Sequence, residues 1–217
     1  MTTIERLCLI GAGTMGHGIA YVALAAGRRV AITDADAATL AGGVARIRAA
    51  FEKGIERGKV TTEQRDAAMA RLTDHASIRD AVSEAELVVE AVPERMDLKR
   101  SIFGEVERHV GPDTILASNT SSLSITQIAS AVERPQRVIG MHFFNPVPAM
   151  RLVELVRGEH TSDQTVEVSR RFSDSLGKTP IVVRDTPGFA TSRLGVVLGL
   201  EAVRMLEQGV ASAQDID

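Results

Sequence analysis

The sequence has no tryptophan, one tyrosine, six phenylalanines and one cysteine in 217 residues. Its interior must therefore be aliphatic, and a hydrophobic content of 44% supplies the material. Cys8 has no second cysteine to meet, which excludes an internal disulfide and a cysteine-based metal site within one subunit. No run approaches the ~18 consecutive apolar residues that a membrane span needs. The opening MTTIERLCLIGAG lacks the basic stretch and long apolar core of a secretion signal. No block of lysine or arginine stands out and the formal net charge is only −3, so neither a nucleic acid nor a membrane is indicated as partner. These absences lead to the expectation of a reduced, soluble, cytoplasmic protein.

What is present is an alternation of short apolar runs and longer amphipathic stretches, the pattern of an α/β fold with a mostly parallel, doubly wound sheet. Strands are predicted at 7–10, 30–33, 86–92, 114–117, 137–144, 151–156 and 181–183. Helices are predicted at 15–26, 37–57, from about 62, at 98–109, from 125, at 163–176 and at 189–208, with Ser124 as an N-cap and Gly27 and Gly177 as stops. The run ELVVEAV is too apolar for an exposed edge. Pro187-Gly188 marks a boundary, giving a domain over 1–186 and the start of an α-helical domain over 187–217.

Gly11-Ala12-Gly13-Thr14-Met15-Gly16 follows the first strand directly and opens the first helix. In that context GxGxxG reads as a dinucleotide loop: Gly11 for the turn, Gly13 for close approach to a pyrophosphate, Gly16 for helix–strand packing. The amides that open the helix, at Thr14, Met15 and Gly16, would hold the pyrophosphate. Asp34 ends the second strand, where a carboxylate accepts the adenosine-ribose hydroxyls and repels a 2′-phosphate. The cofactor expected is NAD rather than NADP.

Of five histidines, His75, His109 and His160 read as solvated loop or helix-end residues, and His17 as a helix-face residue beside the glycine loop. His142 stands at the carboxyl end of an apolar strand, where open α/β sheets bind ligands. Glu154 sits inside the apolar run LVELV and needs either a partner or a place on a water-facing edge. Paired with His142, it would orient the ring and favour imidazolium, as a base that removes an alcohol proton requires. A polar cluster, Ser118-Asn119-Thr120-Ser121-Ser122, follows another strand.

The stretches GAGTMGHGIA, VVEAVPERMDLK, ASNTSSL, MHFFNPVPAMRLVELV and DTPGF, in that order, resemble the 3-hydroxyacyl-CoA dehydrogenase family in its bacterial 3-hydroxybutyryl-CoA form. The resemblance implies NAD-dependent oxidation of a (3S)-3-hydroxyacyl-CoA to the 3-oxoacyl-CoA, and the reverse. It implies His142 as general base with Glu154 as partner, Ser121 as hydroxyl donor near the substrate oxygen, and Asn145 as a polar contact beside nicotinamide and substrate. Glu94 and Lys99 match cofactor-site positions, with acyl-CoA phosphates an alternative for Lys99. On their own they read as a helix-start carboxylate and a solvated lysine. Ser192 stands where the family often has asparagine and is expected as a substrate contact with one hydrogen bond to offer. A dehydrogenase of another 3-hydroxy acid, or an NAD-binding module without turnover, are the alternatives.

The resemblance also implies a helical domain of ~100 residues and a homodimer, whereas about thirty residues follow Pro187 here. The helix at 189–208 is too apolar to stand alone. It is expected to pack on its own dinucleotide domain, to swap onto a neighbouring subunit, or to belong to a truncated chain with weakened acyl-CoA binding and dimerisation.

Overall fold

The structure, a computed structural model, describes residues 4–217. Eight strands form one sheet: β1 (Arg6–Ile10), β2 (Arg29–Thr33), β3 (Leu72–His75), β4 (Leu87–Glu90), β5 (Ile115–Ser118), β6 (Val138–Phe143), β7 (Leu152–Arg157) and β8 (Thr179–Arg184). Their spatial order is β3-β2-β1-β4-β5-β6-β7-β8. The first six are parallel in the doubly wound order 3-2-1-4-5-6, and β7 turns back antiparallel to β6 with β8 parallel to it.

Alternate strand residues feed two cores. Leu7, Leu9, Ile32, Val89, Met141 and Leu155 share one core with Ile19 of α1 (Thr14–Ala25) and Ile47 of α2 (Ala37–Glu56) on one face. The same face carries α3 (Thr62–Met69) and α7 (Asp163–Ser175), through Ala68 and Phe172. Cys8, Ile10, Val88, Leu116 and Val138 pack on the other, under α4 (Ile78–Val82), α5 (Met96–Glu107) and α6 (Ile125–Ala129). ELVVEAV supplies β4, which lies between β1 and β5 with all four strand residues buried. Ser124 caps α6, accepting from the Gln127 amide.

Three expectations are corrected. β3 and α4 have no counterpart among the predicted elements: LTDH is a short strand with two outward polar residues, and Ser77 caps a helix of five residues, too short for a periodic signal. His75 thus lies in β3, half-buried, with Nε2 3.2 Å from Thr73 Oγ1. The last long helix, α8, spans Thr191–Glu207 rather than starting at Phe189, because Gly188 (φ 72°) and Phe189 (φ 48°) are left-handed. Finally, α8 does not pack along the sheet domain that precedes it. None of its residues is buried, Leu194, Val197, Leu198 and Leu200 stand more than half exposed, and the helix meets the sheet domain through its first turn. It then packs on α9 (Ala213–Ile216).

Candidate active site

The glycine loop is built by steric exclusion. A Cβ on Gly16 would lie 1.7 Å from Gly11 O, and one on Gly11, whose φ is 102°, would lie 2.6 Å from Ala91 O. Neither position admits a side chain. A Cβ on Gly13 would instead meet nothing within 4 Å, so that face of the loop is open. The amino end of α1 carries no side-chain cap and no acidic residue in its first turn. Uncapped amides beside open space suit a pyrophosphate. Asp34, just past β2, accepts from the Ala12 amide at 2.8 Å and the Asp36 amide at 3.0 Å, which fixes the loop and leaves further lone pairs for a ribose. His17 Nδ1 lies 2.7 Å from Gly13 O, so this histidine braces the loop. Residues and space together fit a dinucleotide.

Beyond β4 the structure revises the reading of Lys99. It is 1% exposed, its ammonium 2.7 Å from Glu90 Oε1 and 3.2 Å from Glu94 Oε2. A lysine so enclosed is neither solvated nor aimed at acyl-CoA phosphates. Glu90 also accepts from Ser118 Oγ at 2.7 Å and from the Val92 amide at 2.7 Å. Glu94 reaches across to the β5 loop, accepting from Thr120 Oγ1 and, at 3.0 Å, from the Ser121 amide. Partial burial pushes the Glu94 carboxyl up, but Thr120, Lys99 and the Ser121 amide outweigh it and hold the group below the usual range. The result is a clamp on the loop that presents the exposed Ser121. Asn119 adds a second tie, its Oδ1 accepting from the Phe143 amide at 2.9 Å on β6.

His142 and Glu154 face each other in the antiparallel register of β6 and β7. His142 Nδ1 is 2.7 Å from Glu154 Oε2, and both residues are buried. The water-facing edge considered for Glu154 is ruled out, because β7 lies between β6 and β8 and the residue is 0% exposed. Glu154 Oε1 accepts from the amides of Ala190 at 3.0 Å and Thr191 at 2.9 Å, and Oε2 accepts from Thr191 Oγ1 at 2.8 Å. Burial pushes this carboxyl up, but the bonds from His142, Thr191 and Ala190 prevail and hold it below the usual carboxylate range. With Nδ1 engaged, Nε2 of His142 has no hydrogen-bond partner among the described residues. The rings of Phe144 and Phe189 flank the imidazole, with centroids 4.3 and 6.2 Å away.

Asn145 is exposed at the start of the loop after β6. That loop is anchored by buried Val147, which crowds Gly18 of α1, and by Lys178. The Lys178 ammonium donates to Val147 O and, at 2.8 Å, to Met150 O, and burial lowers its pKa. Ser192 reaches Ser121 by donating from Oγ to the Ser121 carbonyl at 3.2 Å. The first turn of α8 therefore touches both the histidine–glutamate pair and the serine loop.

Comparison with known proteins agrees with this architecture. Residues 6–186 match the model of the 3-hydroxyacyl-CoA dehydrogenase NAD binding domain, and residues 188–217 match that of the 3-hydroxyacyl-CoA dehydrogenase C-terminal domain. The chain belongs to the 3-hydroxyacyl-CoA dehydrogenase family. A 3-hydroxybutyryl-CoA dehydrogenase of Bradyrhizobium diazoefficiens is 41% identical over 214 residues, covering 99% of this chain and 73% of that protein. The crystal structure of Mycobacterium tuberculosis FadB2 superposes with a TM-score of 0.94 at 42% identity, covering 100% of this chain and 76% of that one. The (S)-3-hydroxybutyryl-CoA dehydrogenase of Ralstonia eutropha gives 0.95 at 41% identity, with 99% and 76% covered. As a member of this family the protein is an NAD-dependent oxidoreductase, and NAD is its cofactor. Among the described residues no helix is long and apolar enough to cross a membrane, and no cluster could hold a metal ion.

Four residues that support this candidate site are only weakly marked in the sequence. Glu90 is hidden in an apolar strand, and Thr191 stands in an ordinary helix start. Asn119 is one of a run of polar residues, and Lys178 resembles any lysine after a helix stop. A carboxylate within an apolar run is the one signal that marks Glu90, as it marks Glu154.

Proposed function

We propose that this dehydrogenase oxidises the 3-hydroxyl of a (3S)-3-hydroxyacyl-CoA to the 3-oxo group and runs the reverse reduction, with His142 as the acid–base group. The observation that carries this reading is the buried His142–Glu154 contact at the carboxyl end of β6, the end of the sheet on which the glycine loop opens.

Gly11, Gly13, Gly16 and the amides of Thr14 and Met15 would hold the pyrophosphate of NAD, and Asp34 its adenosine ribose. When bound, NAD supplies the acceptor for the hydrogen and electron pair that leave C3. The chain's own work is proton transfer and positioning. Glu154 accepts a hydrogen bond from the Nδ1–H of His142, which leaves Nε2 as the basic nitrogen facing the substrate hydroxyl. As Nε2 removes that proton and the C3–O bond becomes a carbonyl, the imidazolium forms beside a carboxylate that stays ionised. Ser121 donates its hydroxyl to the substrate oxygen, and Asn145 orients substrate from the β6 loop. Ser192, whose one O–H is donated to the Ser121 carbonyl, offers the substrate an acceptor oxygen. Glu94 and Lys99 act behind these groups, through the loop they clamp. The dinucleotide domain in this reading is 1–186, with 187–217 opening the helical domain through which two copies would associate.

The test is substrate choice. NAD reduction should be measured with 3-hydroxybutyryl-CoA and with free 3-hydroxybutyrate. Turnover confined to the thioester is expected. Turnover on the free acid alone would move the activity to another class of 3-hydroxy acid, and binding of NAD with no turnover on either would make the chain a binding module.

A further inference from the structure

Helix α8 begins without a cap of its own. Its N-cap residue is Ala190, which has no side-chain acceptor, and the first amides turn instead to Glu154, a residue 36 positions earlier on β7. Oε1 of that carboxylate takes both backbone amides, Ala190 and Thr191. Oε2 takes His142 Nδ1 at 2.7 Å and the Thr191 hydroxyl at 2.8 Å. One carboxylate therefore serves as helix cap and as partner of the histidine at once. Just before this turn, Phe189 is held at φ 48°, a left-handed conformation that is strained for a bulky residue. Its ring is buried beside His142, so tertiary packing maintains the bend.

We propose that Thr191 is a positioning residue for His142: its hydroxyl shares Glu154 Oε2 with the imidazole and makes the first turn of α8 part of the support of the base. The inference rests on the reading of His142 as the acid–base group. An ionised carboxylate oxygen has two lone-pair directions. With one occupied by Thr191, the other is the direction left to Nδ1–H, and two amides on Oε1 stop the carboxylate from rotating. Thr191 thereby restrains the plane of the imidazole and draws part of the charge of Oε2 away from it. Its neighbour Ser192 ties the same turn to the Ser121 loop at 3.2 Å, so the two sides of the site are held in register by consecutive residues.

The Nδ1–H proton resonance of His142, measured by nuclear magnetic resonance on the full chain, reads this shared acceptor directly. In Thr191→Val, which keeps the shape and loses the hydroxyl, Oε2 serves His142 alone and the resonance is expected to move downfield. Thr191→Ala should move it in the same direction, and Thr191→Ser, which restores the hydroxyl, should return it to the wild-type position. A resonance unmoved in both Val and Ala variants, or moved equally in the Ser variant, would overturn the proposal. Turnover of the wild type with 3-hydroxybutyryl-CoA is recorded separately. The resonance pattern without turnover keeps Thr191 as the residue that orients the imidazole and overturns the 3-hydroxyacyl-CoA reading of the site, whereas turnover without the pattern removes only the role of Thr191.

Discussion

Glu154 Oε2 lies 2.7 Å from His142 Nδ1, on residues directly paired across β6 and β7. Because the two strands are antiparallel and neighbours in the sheet, the contact is set by backbone register rather than by a flexible loop. Four donors converge on the one carboxylate, which keeps it ionised in a buried place.

Replacing Glu154 should therefore affect stability with a defined pH dependence. A carboxyl whose folded pKa lies below its unfolded value stabilises the fold above the unfolded pKa of about 4.3 and loses that contribution as pH falls through the folded value. Glu154→Gln should be less stable than wild type at pH 7, by roughly 1–3 kcal/mol for the lost charge-assisted bonds. The gap should narrow in denaturant titrations as the pH is taken below about 4. A gap independent of pH would show that the carboxylate is not ionised in the fold.

The Glu90–Lys99 pair predicts a different outcome. Both side chains are 1% exposed, so Lys99→Met leaves a buried carboxylate without its counter-ion and should cost about 3–5 kcal/mol of stability. Adding Glu90→Gln removes the stranded charge and should recover much of that loss, which a double-mutant cycle by urea unfolding would measure. Additive losses would mean that the two groups do not act as a unit.

Two glycines separate folding from cofactor binding. Gly13→Ala meets no protein atom within 4 Å and has an ordinary φ of −69°, so unfolding stability should stay within about 0.5 kcal/mol of wild type. Its methyl would occupy the open face of the loop, and NAD affinity by calorimetry should fall about tenfold or more, a loss of roughly 1.4 kcal/mol. Gly16→Ala, with its Cβ 1.7 Å from Gly11 O, should lower both. Unchanged NAD affinity in Gly13→Ala would place the pyrophosphate elsewhere.

How much of this was open to inspection in the sequence depends on the range of the interaction. The glycine loop, Asp34 and the strand–helix alternation are local, and turn chemistry and periodicity display them. The partner of Glu154 was suggested by the anomaly of a carboxylate in an apolar run. The Glu94 clamp on Thr120 and the Thr191 cap join residues 26 and 37 positions apart that the sheet order brings together, and Lys99 is buried because α5 folds its ammonium back onto Glu90, 9 positions earlier at the end of β4. β3 and α4 are not legible there because four strand residues with a polar middle and one helical turn carry no period.

Cys8 offers a simple probe of the core. It is fully buried on β1, and burial pushes its thiol well above the ordinary range. Labelling by a thiol reagent under native conditions should be negligible and should appear in step with global unfolding. Rapid labelling of the native protein would contradict this packing of the central sheet.

The measurement closest to the central claim is kcat/KM for NAD-dependent oxidation of 3-hydroxybutyryl-CoA by His142→Gln, set beside its NAD affinity. With His142 as the acid–base group, kcat/KM should fall by about 10²–10⁴ while NAD binds as in wild type. Turnover within a few-fold of wild type would contradict the account, because no other group has then been assigned to carry the proton.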